Sequence, residues 1–179
     1  MKKSLWFVFL VFSVSCSSTQ SSTSAQSSAT AHRSIKVYFS DFTQDVPGQA
    51  MEDTIVSEIK AAQKQILVQA FDINSDAICK ALRKMYTKHV RVKVLVDKRY
   101  MGEDCVTKFE NRGIPTRPDD DPAFAHNKII IIDSSIVITG SYNFTEHAKQ
   151  NVENLLVIDD PLLVQQYSEN WWSRWNESK

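Results

Sequence analysis

Residues 129–132 are four consecutive isoleucines, bounded by Lys128 on one side and by Asp133, Ser134 and Ser135 on the other. A run that is apolar at every position is expected of a central strand covered on both faces. The three residues behind it carry turn chemistry, and a second strand is expected at 136–139 and another at 155–158. That core strand sets the frame into which the rest of the chain must fit.

Upstream the pattern alternates. Residues 35–39 read as a strand, and 49–63 place Ile55, Ile59 and Ala62 at helical spacing behind Pro47 and Gly48. Residues 66–71 form an apolar strand. Ser75 is placed as the N-cap of a helix reaching about Lys88, with Ile78, Leu82 and Met85 inward, and 90–96 is the next strand. A short helix at 103–111 stops at Gly113, after which Pro115, Pro118 and Pro122 are expected to carry a loop. Pro161 opens a final helix whose Tyr167, Trp171, Trp172 and Trp175 read as core packing in preference to substrate stacking. Strand–helix alternation followed by consecutive strands and a closing helix predicts an α/β fold, a mixed β-sheet sandwiched between helices.

The first 34 residues do not belong to that pattern. Lys2 and Lys3 precede an apolar run over 5–14, and small residues flank a cleavage point before Cys16, so 1–15 reads as a secretory signal peptide. A cysteine left at the new N-terminus is a candidate for lipidation, with simple release as the alternative. Residues 16–34 are almost entirely Ser, Thr, Ala and Gln, which cannot bury enough apolar surface to offset ordering, and read as a flexible tether. One domain, 35–179, remains. The expected location is across the bacterial inner membrane, in the periplasm or anchored by lipid to the envelope.

Charge narrows the function. Lys plus Arg and Asp plus Glu each total 21. Loss of Lys2 and Lys3 with the signal leaves 19 basic residues, so the mature chain is slightly acidic. Tight nonspecific binding by phosphate neutralisation usually needs a basic protein, whereas a catalytic visitor to phosphates needs positive charge only locally. Lys80, Arg83, Lys84, Lys88, Arg91, Lys93, Lys98 and Arg99 supply a local concentration, though a solvated helix face and strand ends are the favoured explanation of them. Cys79 and Cys105 can pair in an oxidising compartment or be buried separately, and their spacing resembles no zinc site.

His126, Lys128, Asp133, Gly140, Ser141 and Asn143 form the spacing H-x-K, four residues, D, six residues, G-S-x-N. Chance would fix these six positions on the order of once in ten million starts. The pattern resembles the HKD signature of the phospholipase D superfamily. The runs 140–145 and 151–154 are similar to those of small secreted bacterial endonucleases within it. Elementary geometry agrees with a common site. His126 and Lys128, two apart on a strand, share a face, whereas Asp133 has the opposite parity and is expected to anchor the turn or a neighbouring backbone. A two-residue turn at Ser134–Ser135 would pair 133 with 136, and so set Lys128 opposite Ser141 and His126 opposite Asn143.

The resemblance implies a metal-independent phosphodiesterase with no cofactor. His126 is the nucleophile, Lys128, Ser141 and Asn143 bind and polarise the phosphate, and Gly140 and Asp133 are structural. Glu153 would accept a hydrogen bond from the far ring nitrogen of His126. Because the motif occurs once, a second histidine must come from a two-fold homodimer sharing one active site. His32 falls in the tether, His89 at the end of a basic helix and His147 in a loop, where only the last could reach substrate. The leading function is a nonspecific endonuclease on nucleic acid, with DNA or RNA left open. A phospholipase acting on lipid headgroups is the runner-up, and a DNA-binding envelope module with little catalysis is the third reading.

Overall fold

The structure, a computed structural model, describes residues 34–120 and 123–178. The expected signal peptide, Cys16, His32, nearly all of the tether and Pro122 lie outside the described residues.

Seven strands form one sheet: β1 (Ser34–Phe39), β2 (Gln65–Ala70), β3 (Arg91–Asp97), β4 (Thr116–Asp119), β5 (Lys128–Ile132), β6 (Ile136–Gly140) and β7 (Asn154–Asp159). Their order across the sheet is β1-β7-β6-β5-β2-β3-β4. β2, β3 and β4 run parallel and every other pairing is antiparallel, the mixed sheet the pattern predicts. The isoleucine strand β5 lies at the centre, between β6 and β2, and all five of its residues are buried.

Helices cover both faces because alternate strand residues are apolar on both. Ile66, Val68, Ile130, Ile132 and Ile138 enter the larger core with α1 (Gln49–Ala61), α2 (Asp76–Thr87) and α3 (Asp104–Glu110). Leu67, Leu95, Ile129, Ile131 and Val137 face the other way and meet Trp171 and Trp175 of α4 (Pro161–Glu177). Trp171 is fully buried and donates its indole N–H to the Val68 carbonyl at 3.0 Å, so Trp171 and Trp175 are core, as expected, with Tyr167 packed against them, whereas Trp172 is exposed. Ser75 caps α2 by accepting from the Ile78 amide, and Gly113 takes the left-handed conformation, φ +75°, that ends the α3 segment.

Two expectations need correction. The proline segment after Gly113 is not all loop, since Thr116–Asp119 pairs with β3. Pro118 survives in β4 because the strand lies at the sheet edge, where a missing N–H breaks no outer ladder. The β5–β6 register also differs by one residue. Ile132 pairs with Ile136 and Ile129 with Thr139, so Ser134–Ser135 is not the turn. Asp133 and Ser134 make it, at φ +52° and +54°, with Ser135 as an extra residue whose amide donates to the Ile132 carbonyl. Left-handed backbone at two successive positions is tolerated best by Asp and Asn among side-chain-bearing residues.

Asp133 is held there by more than its backbone. Its carboxylate accepts from the amides of Gln63, Lys64 and Gln65 at 2.7, 2.7 and 2.8 Å, closing the entry of β2 against the turn. Burial works against ionisation, yet the three amides outweigh it and hold the acid below its ordinary value. On the opposite face of the molecule's larger core, Cys79 of α2 and Cys105 of α3 are joined in a disulfide with Cα atoms 6.0 Å apart, which settles the alternative left open by spacing.

Asp133→Asn should lower the unfolding free energy at pH 7 by about 2 kcal/mol. The depressed acid contributes stability above its unfolded value and loses it as pH falls through the folded one, so the gap between wild type and variant in urea melts should close below about pH 4. Replacing both cysteines by Ala, with 26 positions separating them, should cost about 3 kcal/mol. Equilibrium unfolding with and without reductant checks this, since reductant should weaken the wild type alone.

Candidate active site

The end of the sheet where β2 and β3 finish is also where β5 begins and β6 ends, and every motif residue but Asp133 lies at or near it. Lys128 opens β5 and is buried, with its ammonium donating to the His126 carbonyl at 2.6 Å and lying 5.2 Å from the centre of the Phe71 ring. Burial pulls its pKa down to about 8, against the opposing pull of the Glu153 carboxylate. His126 precedes the strand and is exposed, with its ring centroid 4.6 Å from that of Phe71 in an edge arrangement. Partial desolvation, then the Lys128 charge, hold the imidazole below its ordinary value, with Asp97 opposing both. A neutral, accessible imidazole beside a buried ammonium is a nucleophile next to an anion-binding charge.

Gly140 decides how Ser141 joins them. A Cβ there would lie 2.3 Å from the Asn154 carbonyl oxygen, and φ is +154°, so only glycine brings the end of β6 this close to β7. The same carbonyl accepts from the Ser141 and Tyr142 amides at 3.2 and 3.4 Å. Ser141 Oγ then donates to Glu153 Oε2 and accepts from the Asn154 amide at 3.0 Å. Tyr142 and Phe144 are fully buried in the core, which fixes the segment between them. Asn143 lies half-buried there, beside the Ile73–Phe144 bridge, and its Oδ1 is buried without a hydrogen-bond partner. With β6 ending at Gly140, the expected ladder positions 128 opposite 141 and 126 opposite 143 are not formed.

Glu153 also differs from its expected role. Within the chain its carboxylate accepts from Ser141 and from Asn151 Nδ2 at 3.1 Å, in place of the His126 ring. Its own amide donates to Ser40 Oγ, which in turn donates to the Asn151 carbonyl at 2.7 Å, so β1 and the 140–154 loop are tied together behind it. The loop is further pinned by Glu52, buried on α1, which accepts from Ser75 Oγ at 2.6 Å and from Lys149 Nζ at 3.3 Å. Asp133 sits at the far end of β5 and contributes support only. His147 lies in the short turn 147–150, exposed.

A second ring of residues surrounds these, of which the sequence marks Arg99 only as one of a basic cluster and gives Phe124 no role. Asp97 ends β3 with 1% exposure and accepts from Arg99 Nε at 2.8 Å, from Arg99 Nη2 at 2.6 Å and from the Ala125 amide at 2.8 Å. Hydrogen bonds from Arg99 hold its carboxyl well below the usual range, and the bond to Ala125 fixes the backbone just before His126. Arg99 stacks its guanidinium 3.7 Å from the centre of the Phe124 ring. An Asp-x-Arg at a strand end has no spacing signature, so only the fold brings it to His126. Among the described residues, no group of three or more His, Cys, Asp or Glu side chains is placed to hold a metal ion.

Comparison with known proteins accords with this geometry. Residues 55–175 match the family described as cardiolipin synthase, PLD-like domain. A protein named phospholipase D from Rickettsia typhi is 38% identical over 123 residues, covering 67% of this chain and 60% of its own length. Human mitochondrial cardiolipin hydrolase is 30% identical over 138 residues, 74% of this chain and 55% of its own. The match thus spans rather more than half the length of these relatives. Among solved structures, the phospholipase D family member Nuc from Salmonella typhimurium has a TM-score of 0.71 at 30% identity, covering 83% of this chain and 97% of that one. NucT from Helicobacter pylori, at 17% identity and TM-score 0.69, shares the fold. Two thirds of the sequence, including six of the seven described strands, therefore match one family model, and the chain belongs to the phospholipase D-like family.

Proposed function

We propose that this chain is a phosphodiesterase that cleaves nucleic acid as an endonuclease, independently of metal, through a phosphohistidine on His126. The observation that carries the choice of substrate is the cavity at His126. It measures about 400 Å³ and is lined by Gln69, Asp119, Asn127, Asn170 and Arg174 with Phe124, a polar wall in place of an apolar acyl groove. The motif run 140–145 and the likeness to Nuc support the same reading.

Neutral His126 attacks phosphorus while Lys128 and the Asn143 amide stabilise charge on the nonbridging oxygens, and the Ser141 hydroxyl joins them by turning its proton from Glu153 to the phosphate. The leaving oxygen takes a proton from the partner subunit's His126. That second imidazole, now neutral, removes a proton from water, which attacks the phosphohistidine and frees the first. The pair titrates as one unit. A two-fold dimer is supported by the single motif and by apolar side chains around Glu153. Phe39, Phe42 and Val152 are 68, 59 and 83% exposed there. The Cys79–Cys105 bond supports export to an oxidising compartment. The leader sequence supports the periplasm, or attachment to the envelope through lipidated Cys16.

A second reading, hydrolysis of phospholipid headgroups, is favoured by the names of the relatives and by those same exposed apolar residues, which could meet a bilayer. Cleavage of single-stranded DNA, duplex DNA, RNA and phosphatidylcholine in excess EDTA, with His126→Ala alongside, separates the readings. Nucleic-acid cleavage lost in the variant is the expected result. Lipid cleavage alone would promote the second reading, and DNA retention on gels without any cleavage would point to a binding module.

The pH profile is a further check. kcat/KM should fall on the acid side as the attacking His126 gains a proton and on the alkaline side as the partner subunit's His126 loses the one it donates, with a further decline above pH about 8 as Lys128 loses its own. Lys128→Arg, which keeps its charge, should be slower and lose only the further decline above pH about 8, while the limb set by the histidine pair stays; a decline that persists there would assign it to another group.

A further inference from the structure

We propose that the cavity beside His126 is a nucleobase subsite, taking the unpaired base of the nucleotide next to the scissile phosphate. The inference rests on the nucleic-acid reading above and adds what that reading leaves open, namely how the chain holds the nucleoside and in which state of pairing.

The cavity has the parts such a ligand needs. Phe124 lines it and is 59% exposed, so its ring is open to a ligand from the cavity side. The ring is nonetheless supported. The Arg99 guanidinium lies 3.7 Å from its centroid and is itself fixed by the buried Asp97 and by the Ala123 carbonyl at 3.0 Å. A row of rings continues inward, with Phe124 and Phe71 centroids 6.2 Å apart and Phe71 against His126. A flat partner at Phe124 therefore joins a row of edge-packed rings that ends on the attacking imidazole.

Amides form the other walls. Gln69 is 1% exposed and locked, donating to Asp119 at 2.7 Å and accepting from Asn127 at 3.4 Å. Among the described residues, Asn127 Oδ1 and the whole Asn170 amide have no hydrogen-bond partner. An amide offers an acceptor and donors together, matching the mixed edges of a base. The charge in the wall discriminates against the other ligand class. Arg174 pairs with Asp119, the carboxylate of that wall, and so leaves it no free charge for an ammonium headgroup, while Arg99 covers one face of the Phe124 ring and leaves the rest of it to a flat base.

Because His126 itself lines the cavity, a base lying there cannot be paired in a duplex at the phosphate being cut. Single strands and frayed ends become the preferred substrates.

The test uses the purified protein in EDTA and single-stranded DNA oligonucleotides of one sequence, each carrying one abasic residue at a successive position. Cleavage at the phosphate adjacent to the abasic residue should drop about tenfold, the loss of one stacked base, while the other phosphates are cut as before. Phe124→Ala combined with Asn170→Ala, both exposed positions, should cut every phosphate slowly and be indifferent to the missing base. A wild-type pattern unaffected by the abasic position, or duplex cut as fast as single strand, would overturn the subsite while leaving the nuclease intact. No cleavage of any oligonucleotide alongside cleavage of phosphatidylcholine would overturn the nuclease reading and this one together.

Discussion

Three backbone amides converging on the Asp133 carboxylate set the frame on which the rest of the structure depends. They join the entry of β2 to the turn between β5 and β6, and thereby fix the register of the two central antiparallel pairings. A strand register that slips by one residue turns every side chain to the wrong face. Here that would exchange the isoleucines facing α1 and α2 for those facing α4, and would move Lys128 with them. The motif aspartate thus acts on chemistry at the other end of the strand, through the ladder alone.

At that other end the charges are arranged in depth. Buried Lys128 and buried Asp97 lie to either side of exposed His126 and act on it in opposite directions, with Lys128 lowering its proton affinity and Asp97 raising it. Partial desolvation tips the balance towards the neutral ring. Neither charge touches the imidazole through a side-chain hydrogen bond within the chain, and Glu153 is engaged with Ser141 and Asn151. The arrangement leaves the ring nitrogens available to substrate and to groups from outside the chain, as a shared two-histidine site requires.

Legibility in the sequence followed the range of the physics involved. Every strand except β4 could be read from short apolar runs, and the helices from their spacing, because burial on one face or two imposes a period that needs only local information. β4 was missed because two prolines in six residues look like a loop, and only its place at the sheet edge makes Pro118 harmless. The turn was placed one residue late because Ser134–Ser135 and Asp133–Ser134 are alike in composition. The choice between them was made by amides from β2, some seventy residues away. The disulfide stayed open for the same reason, since two helical cysteines pair only when their helices meet.

By itself, then, the sequence determined the fold class, the central isoleucine strand and the identity of His126, Lys128, Ser141 and Asn143 as residues of one motif. These follow from residue type and spacing along one short stretch of chain. Only the tertiary structure decided the Asp97–Arg99–Phe124 support beside the histidine, the binding of Glu153 to Ser141, and the amide-lined cavity made from β2, the segment before β5, and α4. The physical reason is that these groups belong to strands and helices distant in the chain, and no local period records which of them will end at the same pole of the sheet.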